Sequence, residues 1–155
     1  MTSANATLIN FAAQIDGFQA NMGAGTGSPA NGVASMLLDD ITNDFSWDIS
    51  WSGLQGVITV AHFHGPAGPG VNAGVEIDIG AISGLASPSI GMANLSAAQA
   101  ADLQAGLWYI NIHSDLFPGG EIRGQVLQVP EPTSVALFGL GLLGLGLATR
   151  RRIRR

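Results

Sequence analysis

The chain has 155 residues, of which 46% are hydrophobic and only 11% are charged, and it contains neither lysine nor cysteine. This apolar content excludes a disordered chain, and the lack of cysteine excludes disulfides, thiolate metal sites and cysteine catalysis. All eleven acidic residues but only one basic residue, Arg123, precede position 150, so this part carries a net charge of −10. Such a surface repels phosphate backbones, which excludes nucleic acid as a partner.

Before residue 130 the chain consists of short runs of β-branched and aromatic residues separated by Gly, Asn and Pro, which predicts strands. Seven strands are expected, at residues 7–15, 32–38, 44–51, 56–64, 75–79, 106–113 and 121–129. One short helix is expected at residues 96–104, with Ser96 as its N-cap. This spacing predicts an all-β domain at residues 1–129, either a Greek-key β-sandwich or a barrel.

A second region, residues 130–155, has the composition of a membrane segment. It begins with Pro130, Glu131 and Pro132 and continues with an uncharged run at 134–149. As a helix this run would be about 24 Å long, close to the ~30 Å hydrocarbon core, so a C-terminal transmembrane helix is predicted. The run ends in an arginine cluster, Arg150, Arg151, Arg152, Arg154 and Arg155. These arginines should remain cytoplasmic, which leaves the acidic domain outside.

This order of a Pro-Glu-Pro motif, an apolar run and terminal arginines resembles the PEP-CTERM sorting signal of Gram-negative bacteria. The resemblance implies an exosortase, a membrane-embedded cysteine transpeptidase, as the processing partner. It also implies a cell-envelope protein that is anchored in the inner membrane before processing and is then displayed at the surface or in the extracellular matrix. Residues 1–10 have no basic n-region and no apolar h-region, so no N-terminal signal peptide is predicted there.

The three histidines lie on two predicted strands. Alternation along a strand puts His62 and His64 on one face, a few ångströms apart. His113 shares a face with Tyr109 and Asn111 on the later strand. If these two strands are neighbours, three imidazoles meet in a site suited to copper or zinc.

The alternative is that the histidines are structural. In that case they end their strands and hydrogen-bond Asp115, Glu121 or the backbone, and so hold the following loops. Glu121 and Arg123 have the same parity on the last strand, so they are also expected to form a structural ion pair beside a glycine turn.

The same segments carry a second family resemblance. The sequence from His62 to Gly70 (HFHGPAGPG) and the sequence from Gly106 to Gln125, which contains YINIHS and PGGEIRGQ, resemble the CHRD (chordin) domain. CHRD domains occur in chordin and in bacterial surface proteins. The resemblance implies an extracellular β-domain and names no reaction.

These observations predict an exported surface or matrix protein with a non-enzymatic binding or structural role. Two alternatives belong to other classes. The first is a copper- or zinc-binding protein or metalloenzyme that uses the three histidines. The second is an adhesion module that binds exopolysaccharide through exposed aromatic residues such as Trp47, Trp51 or Tyr109.

Overall fold

A computed structural model describes residues 7–130. The predicted transmembrane helix at 134–149, the five terminal arginines, and Glu131 and Pro132 of the sorting motif lie outside the described residues. Within residues 7–130, no helix has the length and apolar character needed to span a membrane.

The described part of the chain forms one sheet with two short α-helices and one 3₁₀ turn, Asn21–Gly23, at its periphery. The nine strands are β1 (Leu8–Asp16), β2 (Asn31–Asp39), β3 (Asp44–Ser52), β4 (Ile58–His64), β5 (Val75–Asp78), β6 (Ser89–Asn94), β7 (Tyr109–Ser114), β8 (Ile122–Gln125) and β9 (Leu127–Gln128). The helices are α1 (Ile79–Ser83) and α2 (Ala97–Gln104). All the strand pairs are antiparallel.

The sheet curls into a nearly closed barrel. Its strand order is β5-β4-β7-β8-β1-β2-β3-β6, and β9 pairs with β1. Helix α1 follows β5 directly and contacts both β4 and β6, so it fills the gap between the two ends of the sheet. Several neighbouring strands, such as β3 and β6 or β8 and β1, are far apart in sequence, as Greek-key connections require. The predicted all-β fold is confirmed.

Three details differ from the predicted elements. The run at 121–129 is two strands, because Val126 leaves the ladder and donates its N–H to the carbonyl of Trp108. Strand β6 and helix α1 were not predicted, because a Gly in β6 and the short length of α1 weaken the periodic signal. The predicted helix is confirmed as α2, where Ser96 and Gln99 form a capping box.

The barrel interior is apolar and aromatic. Phe45, on β3, makes edge-to-face contacts with Phe63 and Trp108, at ring centroid distances of 5.3 Å and 5.9 Å. Trp47 packs against Phe63 in the same way. Each such side chain contributes about 1.5–3 kcal/mol by burial, so this cluster fixes which face of β4 and β7 points inward. The opposite face of these two strands carries the histidines.

Candidate metal centre

The two histidine-bearing strands are direct neighbours. In the β4–β7 ladder, His62 is opposite Asn111, His64 is opposite Tyr109, and His113 is opposite Val60. Because opposed residues of an antiparallel pair project to the same face, all three imidazoles lie on the outer face of the barrel. The predicted three-histidine site required these two strands to be neighbours, and they are.

The three rings converge. One nitrogen from each of His62, His64 and His113 lies within 4.8 Å of the other two. The ring centroid of His62 is 5.4 Å from that of His64 and 5.5 Å from that of His113. Metal–nitrogen bonds are about 2.0–2.1 Å long, so small side-chain shifts are enough for the three nitrogens to share one ion.

Hydrogen bonds to the backbone orient two of the rings. The Nδ1 of His64 is 3.1 Å from the carbonyl oxygen of Ala73, and the Nδ1 of His113 is 2.8 Å from that of Pro118. A carbonyl can only accept, so each Nδ1 carries the proton and each Nε2 keeps a free lone pair. Metal-binding histidines are oriented by hydrogen bonds of this kind.

One nitrogen of each ring has no hydrogen-bond partner among the described residues. Nε2 of His64, Nε2 of His113 and Nδ1 of His62 are buried atoms without a partner among the described residues. Buried polar atoms are normally paired, so three unpaired nitrogens on one face of the sheet indicate a site where a ligand can pair with them. An ion bound between them would satisfy all three.

Burial keeps two of the imidazoles neutral. It lowers the pKa of His64 and the pKa of His113, and the hydrogen bonds that the rings donate to the carbonyls of Ala73 and Pro118 only partly oppose this effect. The neighbouring His62 lowers both pKa values further. Because metal ligation requires neutral imidazole, these shifts favour binding near neutral pH.

Asp115 and Glu121, the side chains predicted as histidine partners, lie elsewhere. Asp115 accepts from the backbone N–H of Val57 at 2.7 Å. Of the predicted partners, the backbone takes this role through the carbonyls of Ala73 and Pro118. The sequence could not single out these carbonyls, because every residue has one.

The predicted pair between Glu121 and Arg123 is wrong. Glu121 is fully buried and accepts four hydrogen bonds, from the hydroxyls of Ser28 (2.7 Å) and Ser114 (2.6 Å) and from the backbone N–H groups of Gln55 (2.6 Å) and Gly56 (3.3 Å). Burial acts to raise its pKa, but the hydrogen bonds outweigh burial and hold it below the ordinary value. Glu121 also precedes β8, so strand parity does not apply to it.

Arg123 instead binds the loop at 65–74. Its guanidinium donates to the carbonyl oxygen of Val71 at 2.8 Å and lies 3.4 Å from the centre of the Tyr109 ring. Tyr109 stacks on His64 with the rings 6° from parallel, and its hydroxyl accepts from the N–H of Ala73. Arg123 and Tyr109 thus fix the loop whose carbonyl orients His64.

The aromatic residues predicted for exopolysaccharide binding are not all exposed. Trp47 and Tyr109 are each only 2% exposed, and only Trp51 remains half-buried at the surface. Trp47 belongs to the core, and Tyr109 is covered by the loop at 65–74. The premise of an exposed aromatic surface is therefore wrong for two of the three residues.

Comparison with protein-family models identifies both regions of the chain. A model of the PEP-CTERM protein-sorting motif matches residues 128–152, so this is a secreted or cell-envelope protein that is processed by an exosortase. A model of the CHRD domain matches residues 11–126, which is more than half of the chain. Searches of curated proteins and of solved structures return no match. The chain therefore belongs to the CHRD domain family.

Proposed function

We propose that this protein is an extracellular metal-binding protein in which His62, His64 and His113 hold one Cu²⁺ or Zn²⁺ ion. The observation that carries the proposal is the convergence of three imidazoles, each of which has a buried nitrogen without a hydrogen-bond partner among the described residues. A purely structural role would account for the bonds to Ala73 and Pro118. It would not account for the three buried nitrogens that lack partners.

The donor set narrows the choice of metal. Three neutral imidazoles suit copper and zinc, whereas Ca²⁺ and Mg²⁺ need oxygen ligands. For a given set of nitrogen donors, Cu²⁺ generally binds more tightly than Zn²⁺. We therefore expect the higher affinity for Cu²⁺.

A binding or structural role is favoured over catalysis. The nearest carboxylates in sequence, Asp115 and Glu121, accept from backbone and hydroxyl donors. Asp78, which is opposite His62 in the β4–β5 ladder, caps α1 by accepting from the N–H of Ala81. All three carboxylates therefore have structural partners, which disfavours a general base at the centre. His64 and His113 are each bonded to a loop, at Ala73 and Pro118. A bound ion would therefore join the two loops at the outer surface of the barrel.

Calorimetric titration of the metal-free protein with Cu²⁺ and with Zn²⁺ tests the proposal. One ion should bind per chain, and His113→Ala should reduce the affinity by more than the ~10–100-fold typical of changes around a ligand. Asp115→Asn is the matched control, because Asp115 lies two residues away and its carboxylate accepts from the N–H of Val57. Affinity unchanged by His113→Ala would exclude the three-histidine site.

The metalloenzyme alternative depends on one observation. His62 and His113 are only partly buried, so solvent reaches the edge of the cluster. Catalysis would also require a coordination position of the bound ion that is open to solvent, as in catalytic zinc sites. An external ligand such as azide should then bind the Cu²⁺ form and change its visible spectrum. A spectrum that azide does not affect would favour the structural role.

A further inference from the structure

The sorting motif follows the folded barrel without a linker. Strand β9 pairs with β1, and beyond it the N–H of Val129 still donates to the carbonyl of Asn10 at 2.8 Å. The motif begins at the next residue, Pro130. A membrane-embedded enzyme that acts near this motif must therefore approach the outer surface of β1 and its neighbours.

A groove lies on this surface and reaches the motif. It has a volume of about 630 Å³ and crosses β1, β2, β3 and β6 on their outer face. Ladder register places its outward residues in two parallel rows, with Ala12, Ser35, Asp48 and Ile90 in one and Asn10, Leu37 and Ser46 in the other. Leu127 and Met92 continue these rows just beyond the groove, Leu127 next to Ala12 and Met92 next to Ser46. Val129 and Pro130 form part of the wall, so the groove and the motif are continuous.

The groove has a narrow floor between apolar rims. Ala12, Ser35 and Ser46 are short side chains at the centre of the two rows. On the rim along β6, Ile90 is 66% exposed and Met92 is 62% exposed. On the opposite rim, Leu127 and Val129 are also exposed. Exposed apolar residues gathered on one face mark an interaction surface more often than single exposed residues do.

We propose that this groove, with the rims Ile90–Met92 and Leu127–Val129, docks an apolar segment on the outer side of the processing exosortase and so presents the Pro130 motif for cleavage. Continuity with the motif selects this partner. A lipid surface fits less well, because the chain before residue 150 has a net charge of −10 and anionic headgroups repel it. The proposal rests on the sorting signal and is independent of metal binding.

Docking predicts that charges on the rim slow processing. The full chain, exported behind a secretion leader in cells that carry an exosortase, is followed by immunoblotting of membrane and released fractions. Ile90→Glu with Met92→Glu should lower the processed fraction several-fold, because an apolar contact cannot accommodate buried carboxylates. Ile90→Lys with Met92→Lys should lower it equally. Limited proteolysis of the retained protein checks that the variants are folded.

Matched controls separate docking from a general effect of charge. Phe18 and Val57 are 86% and 71% exposed, and neither lines the groove. Phe18→Glu with Val57→Glu should be processed like the parent. Equal slowing by these controls, or normal processing of the Glu pair at the rim, would overturn the proposal. Normal processing of the Lys pair alone would also overturn it and would indicate contact with anionic lipid.

A linker variant tests the geometry itself. A flexible Gly-Ser insertion between Val129 and Pro130 separates the motif from the groove, so it should also lower processing. Faster processing after the insertion would mean that the folded barrel obstructs the enzyme, and would contradict docking. The Pro130→Ala, Glu131→Ala, Pro132→Ala variant should remain unprocessed, which confirms that the assay reports exosortase action.

Discussion

The two halves of the sheet share an apolar inner face and differ in what covers the outer one. On β3, inward residues such as Phe45 and Trp47 alternate with outward residues that are exposed or half-buried, such as Asp44 and Asp48. On β8 all four residues are buried, and on β7 only His113 is more than slightly exposed. Loops bonded to the outer face of β7 and β8 cause this difference.

The comparison explains where the chemistry of this domain is concentrated. An exposed polar residue such as Asp48 can bond water, whereas a covered one needs a partner from the protein. Arg123 and Glu121 find such partners in backbone carbonyls, backbone N–H groups and hydroxyls. The histidine nitrogens do not, and for this reason the covered half carries the candidate site.

The largest expected effect of substitution is at Glu121. Glu121→Ala leaves the donors from Ser28, Gln55, Gly56 and Ser114 without an acceptor, so the free energy of unfolding should fall by about 3–5 kcal/mol. Urea denaturation measures this loss, provided that parent and variant unfold with the same m-value. Asp48→Ala, which removes a carboxylate from the open half, should change stability little. A similar loss in both variants would remove the distinction between the halves.

A smaller loss is expected at Arg123. Arg123→Ala removes the bond to Val71 and the stacking on Tyr109, which should cost about 2–3 kcal/mol. It should also weaken Cu²⁺ binding, because the loop that holds Ala73 against His64 loses its support. Arg123→Lys should restore only part of the stability and part of the Cu²⁺ affinity, since an ammonium lacks the planar guanidinium fork. Full restoration by Lys would show that charge alone matters.

The smallest expected effect is the pH dependence of the metal-free protein. Burial lowers the pKa of His64 and of His113, so the unfolded chain takes up protons at the ordinary value of about 6.5 while the folded chain does not. The free energy of unfolding should therefore fall as the pH drops below this value, until the folded pKa values are reached. Urea denaturation between about pH 7.5 and pH 5.5 measures this slope, and a His64→Gln, His113→Gln variant should flatten it. If that variant leaves the slope unchanged, the pH dependence arises from other titratable groups.

Much of the fold followed from local pattern. Runs of β-branched and aromatic residues located most of the strands, and Ser96 marked the start of α2. The parity of His62 and His64 placed both rings on one face. These features depend on residues close in sequence, where strand geometry and capping chemistry act directly.

Other features depended on contacts that no local pattern encodes. Parity suggested that Glu121 and Arg123 would pair, but Ser28 lies 93 positions from Glu121 and Val71 lies 52 positions from Arg123. The burial of Tyr109 likewise results from the loop at 65–74 folding back over β7.

By itself the sequence determined the all-β class, the two-part organisation, the sorting signal and the shared face of His62 and His64, because these follow from composition, motif order and period-two alternation. Only the tertiary structure decided that β4 and β7 are neighbours, that His113 joins His62 and His64, and that loops cover one half of the sheet. The physical reason is that strand pairing and loop coverage depend on the free energy of the whole packed chain. Burial then determines which polar groups are satisfied and which are left to bind a ligand.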